Sequence, residues 1–148
     1  VAIIVPDLGE GAPVHDAVSG ERFADEAVWQ ERAGYSRAAR RGGRILVSGT
    51  TSSGPDGAVL HPGDTYRQTA EAIATGLRAV EALGGTGADV LRTRVYLVPG
   101  ASWEDAARAH REAFDAVRPA NTMLYVAALV GEGLLVEVEL DAELGSAS

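Results

Sequence analysis

The stretch "DVLRTRVYLVPGASWEDAARAHREAFDAVRPANTMLYV", residues 89–126, carries the reading that decides the fold. Its first part alternates as a strand does: Thr93, Val95 and Leu97 face one way, Arg92, Arg94 and Tyr96 the other. Ser102 then offers a hydroxyl to cap a helix, with Asp105 at the third position. The apolar stripe of that helix runs through Trp103, Ala106 and Ala107, His110, Ala113 and Phe114, and Val117. Pro119 ends the helix, because proline disfavours helical geometry in the residue before it. "TMLYVAALV", residues 122–130, then begins a second strand.

Working outward, "LLVEVEL" is a strand with Val136, Val138 and Leu140 on one side and Glu137 and Glu139 on the other, reached through the turn "GEG". Upstream lies another helix. Thr65 and Gln68 form a capping box after Asp64, and Tyr66, Thr69 and Ala70, Ile73, Leu77 and Val80 share a face; "GGTG" from Gly84 stops it. "RILVSGTT" is a strand ended by Gly49, and "SSGPDGAVL" reads as a turn and short strand completing a hairpin. Residues 1–30 say least: "PDLGEGAP" has the composition of a loop, and "RFADEAVWQERAGY" is too mixed to assign. The order β-β-α-β-α-β-β predicts an α+β fold with two helices packed on one face of a mixed sheet. The sheet's other face, with strand residues such as Met123, Tyr125, Ala127 and Leu129, is then either covered by other subunits or left solvated, as open antiparallel faces can be.

Composition narrows the function. A chain of 148 residues fits one domain, and its net charge of −8 opposes general nucleic-acid binding, which needs cationic surface to displace counterions. All thirteen basic residues are arginine and there is no cysteine, which removes a Schiff-base lysine, a thiolate nucleophile, a disulfide framework and a cysteine zinc site. His15, His61 and His110 lie far apart, with no HExxH or other ligand spacing, so no metal site is predicted. "TSSGPDG" resembles a phosphate loop only loosely, no lysine follows it, and a turn is the better reading. No apolar run reaches the ~18 residues of a membrane span. "VAIIVP" has no basic flank of a signal peptide, so the reading is a cytoplasmic protein without membrane contact.

Four segments taken in order carry a family resemblance: "AGYSRAARRGGRILVSGTTSSGPDG", "TYRQTAEAIATGLRAVEALGGTGADVLRTRVYLV", "WEDAARAHREAFDAVRPANTM" and "LLVEVELDA". Together they resemble the Rid family (reactive intermediate deaminase, also called YjgF/UK114), from about Trp29 to Ala142. Residues 1–28 are then an N-terminal extension of unclear role, and 29–148 a single Rid-like domain. The resemblance implies a chorismate-mutase-like fold, a homotrimer with ligand clefts between subunits, and cofactor-free hydrolysis of 2-imino acids to 2-oxo acids and ammonia. It also implies site positions. The arginine that clamps the substrate carboxylate falls on Asn121, in "P-A-N". The glutamate that holds or polarises water falls on Glu137, the pocket tyrosine on Tyr35, and the Ser-Gly pair on Ser48 and Gly49. A polar pocket position falls near Arg108.

These residues also have plainer readings. Glu104, Arg111, Glu112 and Asp115 place Arg108 on a solvated helix face. His110 on an apolar stripe is more simply a packed histidine bonded to a backbone oxygen than a proton donor in a cleft. Arg32, Arg37, Arg40, Arg41 and Arg44 read as a solvated charge run. Asn121 is the informative departure: it offers one NH2 and one carbonyl without charge, where arginine offers a charged fork. The predicted function is therefore a small-molecule enzyme acting on an imine, enamine or related carbonyl compound by hydrolysis or tautomerisation, with Glu137 and Asn121 catalytic, Tyr35, Ser48, Gly49, Arg108 and His110 binding, and weak deaminase activity. The alternatives are a non-catalytic binding or regulatory trimer and, least favoured, an endoribonuclease.

Overall fold

Residues 90–97 form strand β4 (Val90–Leu97), and its alternation survives intact: Thr93, Val95 and Leu97 are buried while Arg92 is exposed. The structure is a computed structural model and describes residues 20–146. Around β4 the chain builds a six-stranded sheet with β1 (Glu21–Phe23), β2 (Ala38–Arg41), β3 (Arg44–Thr51), β5 (Ala120–Tyr125) and β6 (Val136–Glu143), in the spatial order β1-β2-β3-β6-β4-β5. Only β4 and β5 run parallel; the other neighbours are antiparallel. A parallel pair needs a crossover, and α3 (Trp103–Phe114) supplies it. The long helix α2 (Thr65–Ala82) packs on β3, β6 and α3, whereas the short α1 (Val28–Ala33) precedes β2.

The core lies between the sheet and these helices. It is formed by Ile45 and Val47 of β3, Ile73 and Val80 of α2, Val95 and Leu97 of β4, Phe114 of α3, and Val136, Val138 and Leu140 of β6. Each such side chain stabilises the fold by roughly 1.5–3 kcal/mol when fully buried. Gly76 lets α2 approach closely: a Cβ there would lie 2.8 Å from Leu140 Cδ1. The opposite face of the sheet carries Arg94, Tyr96, Glu137 and Glu139, with no described helix over it.

Several sequence expectations change. "RFADEAVWQERAGY" becomes the end of β1, a loop and α1. "SSGPDGAVL" forms a turn, not a strand: one bridge, Ser53–Val59, is flanked by the Gly54 amide on the Ala58 carbonyl at 2.8 Å and the Leu60 amide on the Ser52 carbonyl at 2.9 Å. β5 stops at Tyr125, so Ala127 and Leu129 lie in the loop before β6 and not on a strand face. The capping box is also replaced. Asp64, not Thr65, is the N-cap of α2, accepting from the Arg67 amide at 2.9 Å. Gln68 is fully buried and committed elsewhere: its amide donates to the His61 and Gly133 carbonyls at 3.2 Å each, and its oxygen accepts from the Leu135 amide at 2.9 Å. Ser102 does cap α3, accepting from the Asp105 amide at 3.1 Å. That helix closes at Phe114, ahead of Pro119, with Arg118 in the left-handed region at φ 54°. Its stripe is narrower than predicted, since Trp103 is half exposed and Ala109 is buried.

Residues 20–28 are tied into the sheet; residues 1–19 of the expected extension lie outside the described residues. Arg37, only 8% exposed, makes the tie. Its Nε donates to Asp25 Oδ2 at 2.8 Å, and its NH1 donates to Thr50 Oγ1 at 2.9 Å and the Gly49 carbonyl at 3.3 Å. Gln30 Nε2 donates to the other Asp25 oxygen. Arg37 thus leaves the solvated run assigned from sequence, because Asp25 neutralises it and two oxygens of β3 satisfy it.

Burial pushes the Asp25 carboxyl up, but the Arg37 bond and charge, with Gln30, outweigh it and hold the group below its ordinary value. A lowered folded value gives stability that is present above the unfolded pKa and lost as pH falls through the folded one. Asp25→Asn is expected to destabilise the protein by about 2 kcal/mol at pH 7, below the fully buried range because Asp25 is a quarter exposed, and the deficit should shrink in acid. Urea denaturation at pH 7 and pH 3 measures both; an equal deficit at the two pH values would contradict the linkage.

Candidate functional site

Glu137 is the residue of β6 opposite Thr51 on β3 and Tyr96 on β4, and it points to the helix-free face. Its carboxylate lies directly against Gly49. A Cβ at that glycine would sit 1.9 Å from Glu137 Oε1, so only glycine leaves room for the acid. The register between β3 and β6 shifts between Val47 and Thr50, which brings the Gly49 backbone to this point. Burial raises the Glu137 pKa, and the Glu139 charge raises it further; Arg37 offsets part of this. Next to it, Glu139 accepts from Tyr96 OH at 3.2 Å and from Arg94 NH1 at 3.3 Å.

Tyr35 lies close to both Ser48 and Gly49. Tyr35 and Gly49 line one cavity of about 320 Å³ with Trp29 and Arg37 and with Glu71, Thr75 and Arg78 of α2; Glu137 is not part of its wall. Tyr35 and Ser48 line a second, also of about 320 Å³. The Ser48 hydroxyl is spent on the Ser36 carbonyl at 2.7 Å, and its amide on the Arg37 carbonyl at 2.9 Å. Ser48 therefore acts as a brace between β3 and the turn that carries Tyr35.

Asn121 lies elsewhere. It pairs in register with Thr93, on the face that carries the helices, so within one chain the sheet separates it from Glu137. Its Nδ2 donates to Thr93 Oγ1 at 2.9 Å, and Thr93 Oγ1 is 2.7 Å from His110 Nε2. His110 thus bonds a side-chain hydroxyl and not the backbone oxygen expected of a packed histidine. Its ring rests on Phe114 at 4.9 Å, and burial pushes its pKa below the usual value. A cavity of about 470 Å³ opens beside it, lined by Arg111, Phe114, Asp115, Arg118 and Pro119.

Arg108 joins neither group. Its guanidinium lies 3.8 Å over the Tyr66 ring and pairs with Asp105 at 3.2 Å, on the solvated face between α2 and α3. Arg118 is turned back onto Asp115, at 2.9 Å. Among the described residues, no group of three or more His, Cys, Asp or Glu side chains could hold a metal ion, and no helix is long and apolar enough to cross a membrane.

Sequence reasoning missed Arg37 and Thr93. Nothing local marks Arg37, whose partner Asp25 is twelve residues away in a segment without periodicity. Thr93 did leave a signal: a hydroxyl on a buried strand stripe needs a partner, as does His110 on a buried helix stripe.

A mixed sheet with its long helices on one side defines the chorismate-mutase-like architecture. The chain belongs to the endoribonuclease L-PSP family, the YjgF/UK114 proteins, whose family model matches residues 26–144. It is 38% identical over 125 residues to an uncharacterized protein of Streptomyces coelicolor, covering 84% of this chain and 92% of that one. The crystal structure of Rv2704 from Mycobacterium tuberculosis, described as a member of the highly conserved YjgF/YER057c/UK114 family, aligns with a TM-score of 0.76 at 36% identity, covering 85% of this chain and all of that one. The yjgF gene product of E. coli shares the fold, with a TM-score of 0.67 at 24% identity over 81% of this chain and 92% of that one.

Because the folded pKa of Glu137 is raised, ionising it weakens the fold as pH rises from the unfolded value through the folded one. Glu137→Gln is therefore expected to raise Tm at pH 7 and leave it nearly unchanged at pH 3. Carboxyl NMR titration should place Glu137 above an ordinary glutamate, and Glu139→Gln should bring it down. A Glu137 that titrates normally would contradict the described packing against Gly49.

Proposed function

We propose that this protein is a Rid-type enzyme that hydrolyses or tautomerises a small imine, enamine or related carbonyl compound, with little activity on 2-imino acids. The observation that carries the reading is Glu137, a half-buried carboxyl of raised pKa set against the bare backbone of Gly49. Such a group exchanges a proton, or holds an attacking water, closer to neutral pH than an ordinary glutamate. Tyr35 shares a cavity with Gly49, whose carbonyl is held by Arg37. No cofactor or metal enters this chemistry.

Asn121 argues against imino acids. A charge-assisted bond contributes ~1.5–3 kcal/mol against ~1 for a neutral one, so losing a bidentate arginine clamp lowers carboxylate affinity by roughly a hundredfold or more. Neighbouring arginines do not replace it here, since Arg118 is paired with Asp115 and Arg108 stacks on Tyr66.

The reading includes a homotrimer. Asn121 and Glu137 face opposite sides of one sheet, so a common cleft requires the β5 edge of one copy to meet the helix-free face of another. Exposed Leu46 and Leu124 give that contact apolar surface. The same face carries Glu137, Glu139 and Asp141, which disfavours a polyanion and hence an RNA-cleaving role.

The test is ammonia release from 2-iminobutyrate generated in situ, beside hydrolysis of a neutral imine. The wild type should be slow on the imino acid, and Asn121→Arg should raise that rate by roughly a hundredfold. Glu137→Gln should lower neutral-imine turnover by about a hundredfold or more. Fast imino-acid turnover by the wild type, indifference to Glu137→Gln, or a monomer by light scattering would each overturn the reading.

A further inference from the structure

The chain Asn121–Thr93–His110 has a consequence for what the cleft takes. Thr93 is fully buried and its oxygen joins two groups, the Asn121 amide at 2.9 Å and His110 Nε2 at 2.7 Å. A threonine hydroxyl has one hydrogen to give. With Asn121 donating to Thr93, that hydrogen goes to His110 Nε2, which accepts it only as a neutral imidazole carrying its proton on Nδ1. This tautomer and this rotation of the Asn121 amide require one another, since an Nε2–H imidazole would donate to Thr93 and turn the Thr93 hydrogen to the Asn121 oxygen. One Nδ2 hydrogen is used inward, and Oδ1 and the second Nδ2 hydrogen have no partner among the described residues. Asn121 lies on the exposed edge strand β5, so both are offered outward.

We infer that Thr93 and His110 are positioning residues that hold Asn121 as a paired acceptor and donor, so that the site takes a neutral carboxamide-bearing compound in place of a carboxylate. This rests on the proposed reading that Asn121 faces the substrate. A primary carboxamide offers an oxygen and, beside it, one of its two N–H groups, and both find partners on Asn121. A carboxylate offers only acceptors: one meets the free N–H and the other is set against Oδ1, which repels it. The discrimination amounts to a bond gained in one case and a mismatch in the other, roughly tenfold or more in affinity.

Protonation of His110 would undo the arrangement. An imidazolium only donates, so the Thr93 hydrogen loses its acceptor. In a fully buried position it then turns to Asn121, whose oxygen must swing inward to receive it. The charged groups around His110 are Arg111, Asp115 and Arg118 at the end of α3, with Asp115 paired to Arg118 at 2.9 Å and to Arg111 at 3.9 Å; β4 and β5 face it with uncharged Thr93 and Asn121.

The probes are 2-oxobutanamide and 2-oxobutanoate, with affinities measured by calorimetry on the full-length protein. The wild type should prefer the amide by about tenfold or more at pH 8, and the preference should fade as pH drops and His110 protonates. Thr93→Val, which keeps the shape and removes the hydroxyl, should abolish both the preference and its pH dependence, while Thr93→Ser should retain them. A merely structural threonine would change Tm without touching the amide-to-acid ratio. Tighter binding of the acid, a pH-independent ratio in the wild type, or an unchanged ratio in a folded Thr93→Val protein overturns the inference; the wild-type measurements decide it even if that variant does not fold. Amide preference with no effect of Glu137→Gln on turnover would sink the enzymatic reading and leave this inference standing. The reverse pattern would sink only the inference.

Discussion

The central pairing of β4 constrains everything else. This strand bonds to β6 on one side, antiparallel, and to β5 on the other, parallel. Because side chains alternate with a period of two, the two registers decide which face each neighbour serves. Thr93 and Asn121 share the helix face, and Tyr96 and Glu137 share the open one. A slip of one residue in either pairing would exchange them. The core holds the registers in place: Thr93, Val95 and Leu97 must face the same layer as Val136, Val138 and Leu140.

Close approach recurs as the way this fold creates special environments. Gly76 admits Leu140 to the surface of α2, and Gly49 admits the Glu137 carboxylate to the β3 backbone. The first contact is apolar and tightens the core. The second moves a carboxyl away from water and beside another, which raises its pKa. Arg37 links the two layers of this design: it is neutralised by Asp25, bonds the Gly49 carbonyl, and lowers the cost of ionising Glu137. One buried guanidinium thereby ties the segment before α1 to the candidate site.

Much of the architecture was legible in the chain because it rests on local periodicity. The alternations of β4 and β6, the Ser102 cap and the two long helices each follow from residues a few positions apart. The misreadings share one cause. Gln68 resembles a capping residue until its amide is seen bonded to His61, Gly133 and Leu135; Arg37 resembles surface charge until Asp25 folds over it. "VAALV" continues a strand pattern but opens on Val126, whose amide bonds the Leu97 carbonyl at the end of the β4 pairing.

By itself the sequence determined the α+β class, the faces of β4 and β6, the family, and the identities Asn121 and Glu137, since each of these depends on residue type and short-range spacing. Tertiary structure alone decided that Glu137 lies against Gly49, that Asn121 is held by Thr93 and His110, and that the sheet stands between them. Those facts depend on register and strand order. Both are set by how distant segments bury their apolar faces together, and no short stretch of the chain encodes that packing.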